Sequence, residues 1–228
     1  MRYFVQYSGG VDSVLAVCKL LKTDPTGVYD LFHVQIDNSC PNFWKAQWLA
    51  VVKTTKILRE KYPKAIFRIL RPPFIQFKTV CQMKTDIALY MFYTVMLLRN
   101  NGKAYRYIVN GTITPIAENS NRTRGWEESL ALLNIYNIET EFYMPLESQN
   151  KKGMINSLDS DLLSATWGCW TPILEGDFLI SCGLCQKCKE LIEVGASLNS
   201  LEINNIFNGY DEYNKALNAS WHTANLGE

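Results

Sequence analysis

Residues 7–13 read Tyr7-Ser8-Gly9-Gly10-Val11-Asp12-Ser13, and this stretch decides the fold. It follows a short apolar run at residues 3–5, which is typical of a buried strand, and it precedes residues 14–21, which have the length and apolar face of a helix. The stretch is therefore predicted to be a strand-to-helix turn. Adjacent glycines permit positive φ and the close approach of a ligand, and the N-terminus of a helix attracts an anion.

The polar residues around the glycines bear on which anion is bound. Ser8, Asp12 and Ser13 add short polar side chains, but the spacing is neither that of a Walker loop nor that of the three-glycine dinucleotide fingerprint. A simpler alternative is a tight turn in which Ser or Asp only caps the helix. A plain cap does not require two glycines and three polar groups, so the pattern favours phosphate binding.

The stretch resembles the pyrophosphate loop, SGGxDS, of the ATP pyrophosphatase superfamily. The resemblance implies that ATP is held there while a substrate oxygen attacks the α-phosphorus and pyrophosphate leaves. It implies the following nucleotide-binding residues: Ser8, Gly9, Gly10, Val11, Asp12 and Ser13.

Strands and helices are predicted to alternate through the first part of the chain. The predicted strands are residues 3–5, 29–36, 65–70, 105–109 and 140–143, and the helices between them include residues 14–21, 43–61, 85–100 and 127–136. Alternation favours a doubly wound α/β fold with a mostly parallel five-stranded sheet. The superfamily resemblance implies that this fold is similar to that of adenine-nucleotide alpha-hydrolases. Residues 1–143 are the predicted ATP-binding domain, and residues 144–228 are the predicted C-terminal helical segment with a metal site.

Asp37 follows the second predicted strand. Ligands of open parallel sheets bind beyond the carboxyl ends of the strands, so Asp37 is expected to face the nucleotide. Capping of the next helix is the alternative role for this side chain.

Composition and charge exclude several classes of protein. The chain has 228 residues, 47% of them apolar and 20% charged, with a net charge of +1. This near-balance disfavours an extended nucleic-acid surface. The sequence shows no secretion signal and no apolar run long enough to cross a membrane, so we expect a cytoplasmic protein.

Four of the seven cysteines lie close together in the C-terminal part: Cys169, Cys182, Cys185 and Cys188. Cys182-Gly183-Leu184-Cys185 is a knuckle that directs two thiolates at one point, and two further cysteines complete a tetrahedral structural zinc set. A ferredoxin cluster would need a proline after its last cysteine. A redox pair would leave Cys169 and Cys188 unexplained. Zinc is therefore the predicted metal.

The combination of motifs resembles the 7-cyano-7-deazaguanine synthase family. Residues 166–170 resemble the family's phrase before the first zinc ligand, and residues 182–188 resemble its CGxCxxC knuckle. Residues 145–151 are similar to the PL-x3-TK entry of a helix, with Lys151 in register with the lysine. Asn150 replaces the threonine and is predicted to cap a helix that begins at Lys151. The resemblance covers nearly the whole chain.

The resemblance implies a ligase that forms carbon–nitrogen bonds. In that family the carboxylate of 7-carboxy-7-deazaguanine is adenylated by ATP with Mg²⁺, ammonia displaces AMP to give an amide, and a second activation dehydrates the amide to a nitrile. Ser8, Asp12, Ser13 and Lys151 are the implied catalytic residues. A homodimer is also implied.

The sequence departs from the family mainly where the acceptor would bind. Lys84, Glu118 and Arg124 are the implied acceptor contacts, although the family's Gly-Arg-Asn and Asp-x-Ser-Gly-Tyr-Pro phrases are absent. Another acceptor is therefore an open alternative: a tRNA base, or a deazapurine that is left as the amide or conjugated. A zinc-stabilised nucleotide-binding module without turnover is the other alternative.

Overall fold

The structure, a computed structural model, describes residues 1–37, 42–70, 75–76, 87–101, 104–111, 127, 130–146 and 150–203. Within these ranges, the side chains of residues 36–37, 75–76, 87–89 and 100–101 are not described. Four implied contact residues are affected: Lys84, Glu118, Arg124 and the side chain of Asp37 lie outside the described part of the chain.

A five-stranded parallel sheet forms the centre of the molecule. Its strands are β1 Arg2–Gln6, β2 Val28–Phe32, β4 Ile66–Leu70, β6 Tyr107–Val109 and β7 Glu141–Tyr143. They lie in the order β4-β2-β1-β6-β7, and every neighbouring pair is parallel. The chain thus adds β2 and β4 on one side of β1 and then β6 and β7 on the other side. The prediction of a doubly wound α/β fold is confirmed.

Helices cover the sheet. They are α1 Val11–Thr23, α2 Phe43–Lys61, α3 Ile87–Asn101, α4 at residues 130–135, α5 Lys151–Ser157, α6 Ser160–Ala165 and α7 Gln186–Glu193. None of the helices in the described ranges is long and apolar enough to cross a membrane.

The central strands pack on both faces, and successive side chains of a strand point to opposite sides. On β1, Tyr3 and Val5 join a hydrophobic cluster with residues of α1, α2, α5 and α6. Phe4 points the other way and packs with α3 and with Leu133 of α4. Packing on both faces explains the apolar residues at consecutive positions of β1, whereas Asp30 of β2 is buried in an ion pair with Arg68 of β4.

The second predicted strand, residues 29–36, was too long. β2 ends at Phe32, whose partners Gln6 and Leu70 are the last residues of the two neighbouring strands. Beyond that point neither β1 nor β4 continues, so residues 33–36 cannot extend the sheet. Two short strands, β3 Ile36–Asp37 and β5 Ile75–Gln76, pair in a separate parallel ribbon. Asp37 therefore does not end a strand of the central sheet.

A small antiparallel sheet in the C-terminal part was not predicted. It consists of β8 Ile173–Glu175, β9 Phe178–Ile180 and β10 Ser200–Glu202, in the order β10-β9-β8. Strand β10 contacts helix α2. The sheet thereby places residues 169–188, here called the cysteine-rich segment, against α2.

Candidate active site and metal site

Residues 8–13, here called the glycine loop, lie where the winding of the sheet changes direction. The loop leaves the end of β1, and Gly111, just after the end of the adjacent strand β6, packs on it. A Cβ atom built on Gly111 would lie 2.9 Å from the carbonyl oxygen of Asp12. Ligand sites of open α/β sheets are found at this switch point between two central strands. The fold therefore puts the predicted nucleotide loop at the position that favours ligand binding.

The start of α1 is open to an anion. Gly10 is the N-cap residue, and among the described residues no side chain caps the helix at this position. The Ser13 hydroxyl donates to the Gly10 carbonyl at 3.0 Å and lies 3.3 Å from the Ser8 hydroxyl. The two serines thus brace the loop, and the positive end of the helix dipole remains directed at the loop opening. A turn with a simple Ser or Asp cap does not describe this geometry.

The two glycines of the loop are packed against different parts of the structure. Gly9 has a φ of +73°, and a Cβ atom on it would lie 2.7 Å from the backbone nitrogen of Val51 in α2. Its missing side chain therefore makes room for α2 rather than for a ligand. A Cβ atom on Gly10 would lie 3.3 Å from the carbonyl oxygen of Trp167. Gly9 is therefore required by its positive φ and by the backbone of α2, whereas Gly10 is only tightly packed.

Lys151 meets the glycine loop from the far part of the sequence. Asn150 caps α5, with its Oδ1 accepting from the Gly153 N–H at 2.8 Å, as predicted. Helix α5 packs against α1. This places the Lys151 ammonium in an ion pair with the Asp12 carboxylate, with both side chains partly exposed. A cation and an acid thus face each other at the opening of the loop.

A cavity of about 210 Å³ extends from the glycine loop toward the cysteine-rich segment. Its walls include Ser8, Asp12 and Lys151 on one side. Other wall residues were not predicted from the sequence, and they include Gln47, Trp170, Ser181, Lys187 and Asn199. Lys187 lies two residues after Cys185, but a positive charge alone does not predict that a residue lines a ligand site. The cavity offers cationic, aromatic and amide groups next to the loop.

Four cysteine sulfurs lie close together in the cysteine-rich segment. The Sγ atoms of Cys169, Cys182, Cys185 and Cys188 all lie within 4.8 Å of one another. Cys185 Sγ is 3.9 Å from Cys169 Sγ and 3.5 Å from Cys188 Sγ. Tetrahedral coordination at a zinc–sulfur distance of about 2.3 Å separates the sulfurs by about 3.8 Å. The cluster therefore fits a metal ion, and we call these residues the cysteine cluster.

The environments of the four thiols differ. Burial opposes ionisation of Cys182, but hydrogen bonds from the Thr171 hydroxyl and the N–H groups of Cys185 and Leu184 outweigh it and lower its pKa to about 6. Burial raises the pKa of the Cys169 thiol well above its usual range. Cys182 is thus prepared to be a thiolate ligand, as metal binding requires.

Comparisons with known proteins gave structural similarities only. No protein-family model and no curated protein sequence matches the chain. One similar structure is a predicted subunit of a tRNA methyltransferase from Methanocaldococcus jannaschii, with 15% identity over 68% of this chain and 73% of that chain, and a TM-score of 0.39. Another is the U34-tRNA thiolase NcsA from Methanococcus maripaludis with its [4Fe-4S] cluster, with 9% identity, coverage of 87% and 83%, and a TM-score of 0.30. Sequence identities and TM-scores this low identify neither a family nor an activity for this chain.

Proposed function

We propose that the chain binds ATP at the glycine loop and transfers its adenylyl group to an acceptor oxygen, releasing pyrophosphate. One observation carries this proposal: the open N-terminus of α1, the Asp12–Lys151 pair and a cavity of about 210 Å³ occupy one place. A triphosphate requires positive potential next to a cavity, and the start of α1 with Lys151 and the adjoining cavity offers both.

Each polar group of the site has a role in this step. The acceptor oxygen attacks the α-phosphorus, and the bond to the bridging oxygen breaks as pyrophosphate leaves with the electron pair. First-turn N–H groups of α1, with the Ser8 and Ser13 hydroxyls, would stabilise the charge that develops on pyrophosphate. Binding of ATP with Mg²⁺ would separate the Asp12–Lys151 pair, because Mg²⁺ attracts the carboxylate and phosphate attracts the ammonium.

The proposed acceptor is 7-carboxy-7-deazaguanine, through the family resemblance of residues 145–151, 166–170 and 182–188. Its carboxylate would be adenylated, ammonia would displace AMP to give the amide, and a second ATP would activate the amide oxygen so that loss of AMP leaves the nitrile. Lys84, Glu118 and Arg124 are the proposed acceptor contacts. The catalytic assembly is proposed to be a cytoplasmic homodimer.

Zinc is the proposed metal of the cysteine cluster. Four sulfur ligands fill a tetrahedral site, so the ion would have no open position for chemistry and would stabilise the segment that forms one wall of the cavity. Metal analysis of the purified protein tests this directly. Zinc near one per chain supports the proposal, and iron with visible absorbance contradicts it.

The acceptor is tested by supplying ATP, Mg²⁺, ammonium and 7-carboxy-7-deazaguanine to the protein and measuring AMP, pyrophosphate and product mass. We expect AMP to form only with the acceptor present and the product to have the mass of the nitrile. A product with the mass of the amide or a conjugate would identify the alternative acceptor chemistry. AMP formation only when tRNA is supplied would identify a tRNA-modifying ligase, and no AMP with any acceptor would favour a binding module.

A further inference from the structure

Trp167 connects the cysteine cluster to the glycine loop through its backbone. Its N–H donates to the Gly9 carbonyl at 3.0 Å. Its own carbonyl oxygen faces Gly10, 3.3 Å from where a Cβ atom would be. Trp167 is only 2% exposed, so these contacts are shielded from water. The backbone of Trp167 therefore hydrogen-bonds Gly9 and lies next to Gly10.

The same residue is held from the side of the cysteine cluster. The Trp167 Nε1–H donates to the Cys169 carbonyl at 2.8 Å. The Asn199 side-chain amide donates to the Thr166 carbonyl at 2.7 Å, and the Asn199 carbonyl accepts from the Ser181 N–H at 3.0 Å. Ser181 directly precedes the ligand Cys182. One hydrogen bond thus connects Trp167 to Cys169, two others connect Ser181, next to Cys182, to Thr166, next to Trp167, and a further one connects Trp167 to the loop.

The opposite side of Gly9 also depends on the cluster. There the backbone of α2 approaches so closely that a Cβ atom on Gly9 would lie 2.7 Å from the Val51 nitrogen. Ala50, the residue before Val51, shares a hydrophobic cluster with Cys169 and Cys188. Gly9 is consequently enclosed by two surfaces, and both pack on the cysteine cluster.

We propose that Trp167 is a positioning residue that couples metal binding at the cysteine cluster to nucleotide binding at the glycine loop. The proposal rests on the proposed function for ATP at the loop and zinc at the cysteines. Metal binding fixes Cys169 and Cys182, and these fix Trp167 through the hydrogen bonds described. A loop that is already fixed loses less conformational freedom when it binds triphosphate, so each ligand strengthens the binding of the other.

The coupling is measured as two affinities in the full chain. Zinc affinity is determined against a competing chelator with and without ATP, and ATP affinity is determined by calorimetry with and without zinc. We expect ATP to tighten zinc binding by about fivefold or more, and zinc to tighten ATP binding by the same factor, since coupling between sites is reciprocal.

Trp167→Phe tests the residue itself, because phenylalanine lacks the donor to the Cys169 carbonyl but keeps the backbone N–H. We expect the coupling factor to fall toward one. A mere loss of contact with ATP would weaken binding equally with and without zinc and leave the factor unchanged. Trp48→Phe is the matched control, since Trp48 is 5% exposed and lies in another hydrophobic cluster.

Hydrogen exchange of the residue 167 amide gives a second measurement in zinc-loaded protein and does not require the metal-free chain to fold. ATP should slow this exchange in the wild type and in Trp48→Phe, and less so in Trp167→Phe. Equal ATP affinities with and without zinc, or an unchanged factor in Trp167→Phe, would overturn the coupling while ATP binding persists. Failure of the zinc-loaded protein to bind ATP would instead overturn the proposed function.

Discussion

The Lys151 ammonium contributes the positive charge that the glycine loop itself lacks. It lies against the Asp12 carboxylate at the cavity, with its side chain 20% exposed. We predict that Lys151→Ala lowers kcat/KM for acceptor-dependent AMP formation by roughly 100-fold, because loss of one group that stabilises transition-state charge has about this effect. Steady-state AMP assays at several ATP concentrations measure it.

Lys152 provides the matched control for this prediction. It is the next residue of α5, carries the same charge, and its side chain is exposed. Lys152→Ala should change kcat/KM by less than about twofold, because Lys152 is not among the residues that line the cavity. Equal losses in the two variants would mean that net charge, rather than the position of Lys151, governs the reaction.

Gly9 gives a second prediction at the scale of the residue. Alanine there would combine a φ of +73° with a Cβ atom 2.7 Å from the Val51 nitrogen and 2.9 Å from the Ala50 Cβ. We expect Gly9→Ala to lower the free energy of unfolding by about 2–4 kcal/mol, the sum of backbone strain and overpacking. Denaturant unfolding measures the loss.

Gly176 separates these two contributions. It has a φ of +55°, and no described atom lies within 4 Å of its built Cβ position. Gly176→Ala therefore carries only the backbone cost of about 1–2 kcal/mol. A Gly9 variant no less stable than the Gly176 variant would show that α2 can move away from the loop, contrary to the packing described here.

At the scale of the element, the short helix α5 depends on its cap. It has seven residues, and the Asn150 side chain accepts from the Gly153 N–H at 2.8 Å. We predict that Asn150→Ala destabilises the protein by about 1 kcal/mol and also lowers turnover, because Lys151 is the first residue of this helix. Asn150→Ser, which keeps an acceptor oxygen, should restore most of both. Loss of stability without loss of turnover would show that Lys151 keeps its position when the cap is missing.

Elements with a strong local pattern were predicted well. The apolar periodicity of residues 43–61 gave both ends of α2, and Asn150 was predicted to cap α5. The end of β2 was missed because it depends on where β1 and β4 end, and an apolar run contains no information about its neighbours. The hairpin of β8 and β9 had a local signal, a Gly176-Asp177 turn between apolar residues, whereas the pairing of β10 with β9 had none.

At the scale of the whole molecule, the site was predictable only as separate parts. The glycine loop, the Lys151 helix entry and the four cysteines each had a recognisable pattern. That Trp167 hydrogen-bonds to Gly9, and that Lys187 and Asn199 line the same cavity as Asp12, depends on tertiary packing between distant segments. No periodicity or spacing encodes such contacts. The part of the cavity wall beyond the glycine loop and Lys151 therefore became known only from the structure.

The cysteine cluster gives the prediction that concerns the whole molecule. Its buried members share a hydrophobic cluster with three residues of α2, so the metal should stabilise more than its own segment. We predict that Cys185→Ser abolishes stoichiometric zinc binding and lowers the free energy of unfolding by several kcal/mol, since binding of a structural zinc contributes directly to folding. Metal analysis and denaturant unfolding of the same samples measure both effects.

Cys18→Ser is the control for this substitution. Cys18 is a buried free thiol on α1, in a different hydrophobic cluster, and the change of sulfur to oxygen is identical. This variant should keep about one zinc per chain, although a hydroxyl buried in an apolar site lowers the free energy of unfolding by about 1–3 kcal/mol. Retention of zinc therefore distinguishes it from Cys185→Ser. If Cys185→Ser kept its zinc, or lost it without any change in unfolding, the metal could not be what holds Trp167 and α2 against the glycine loop, and the coupling between the two ends of the cavity would have no physical basis.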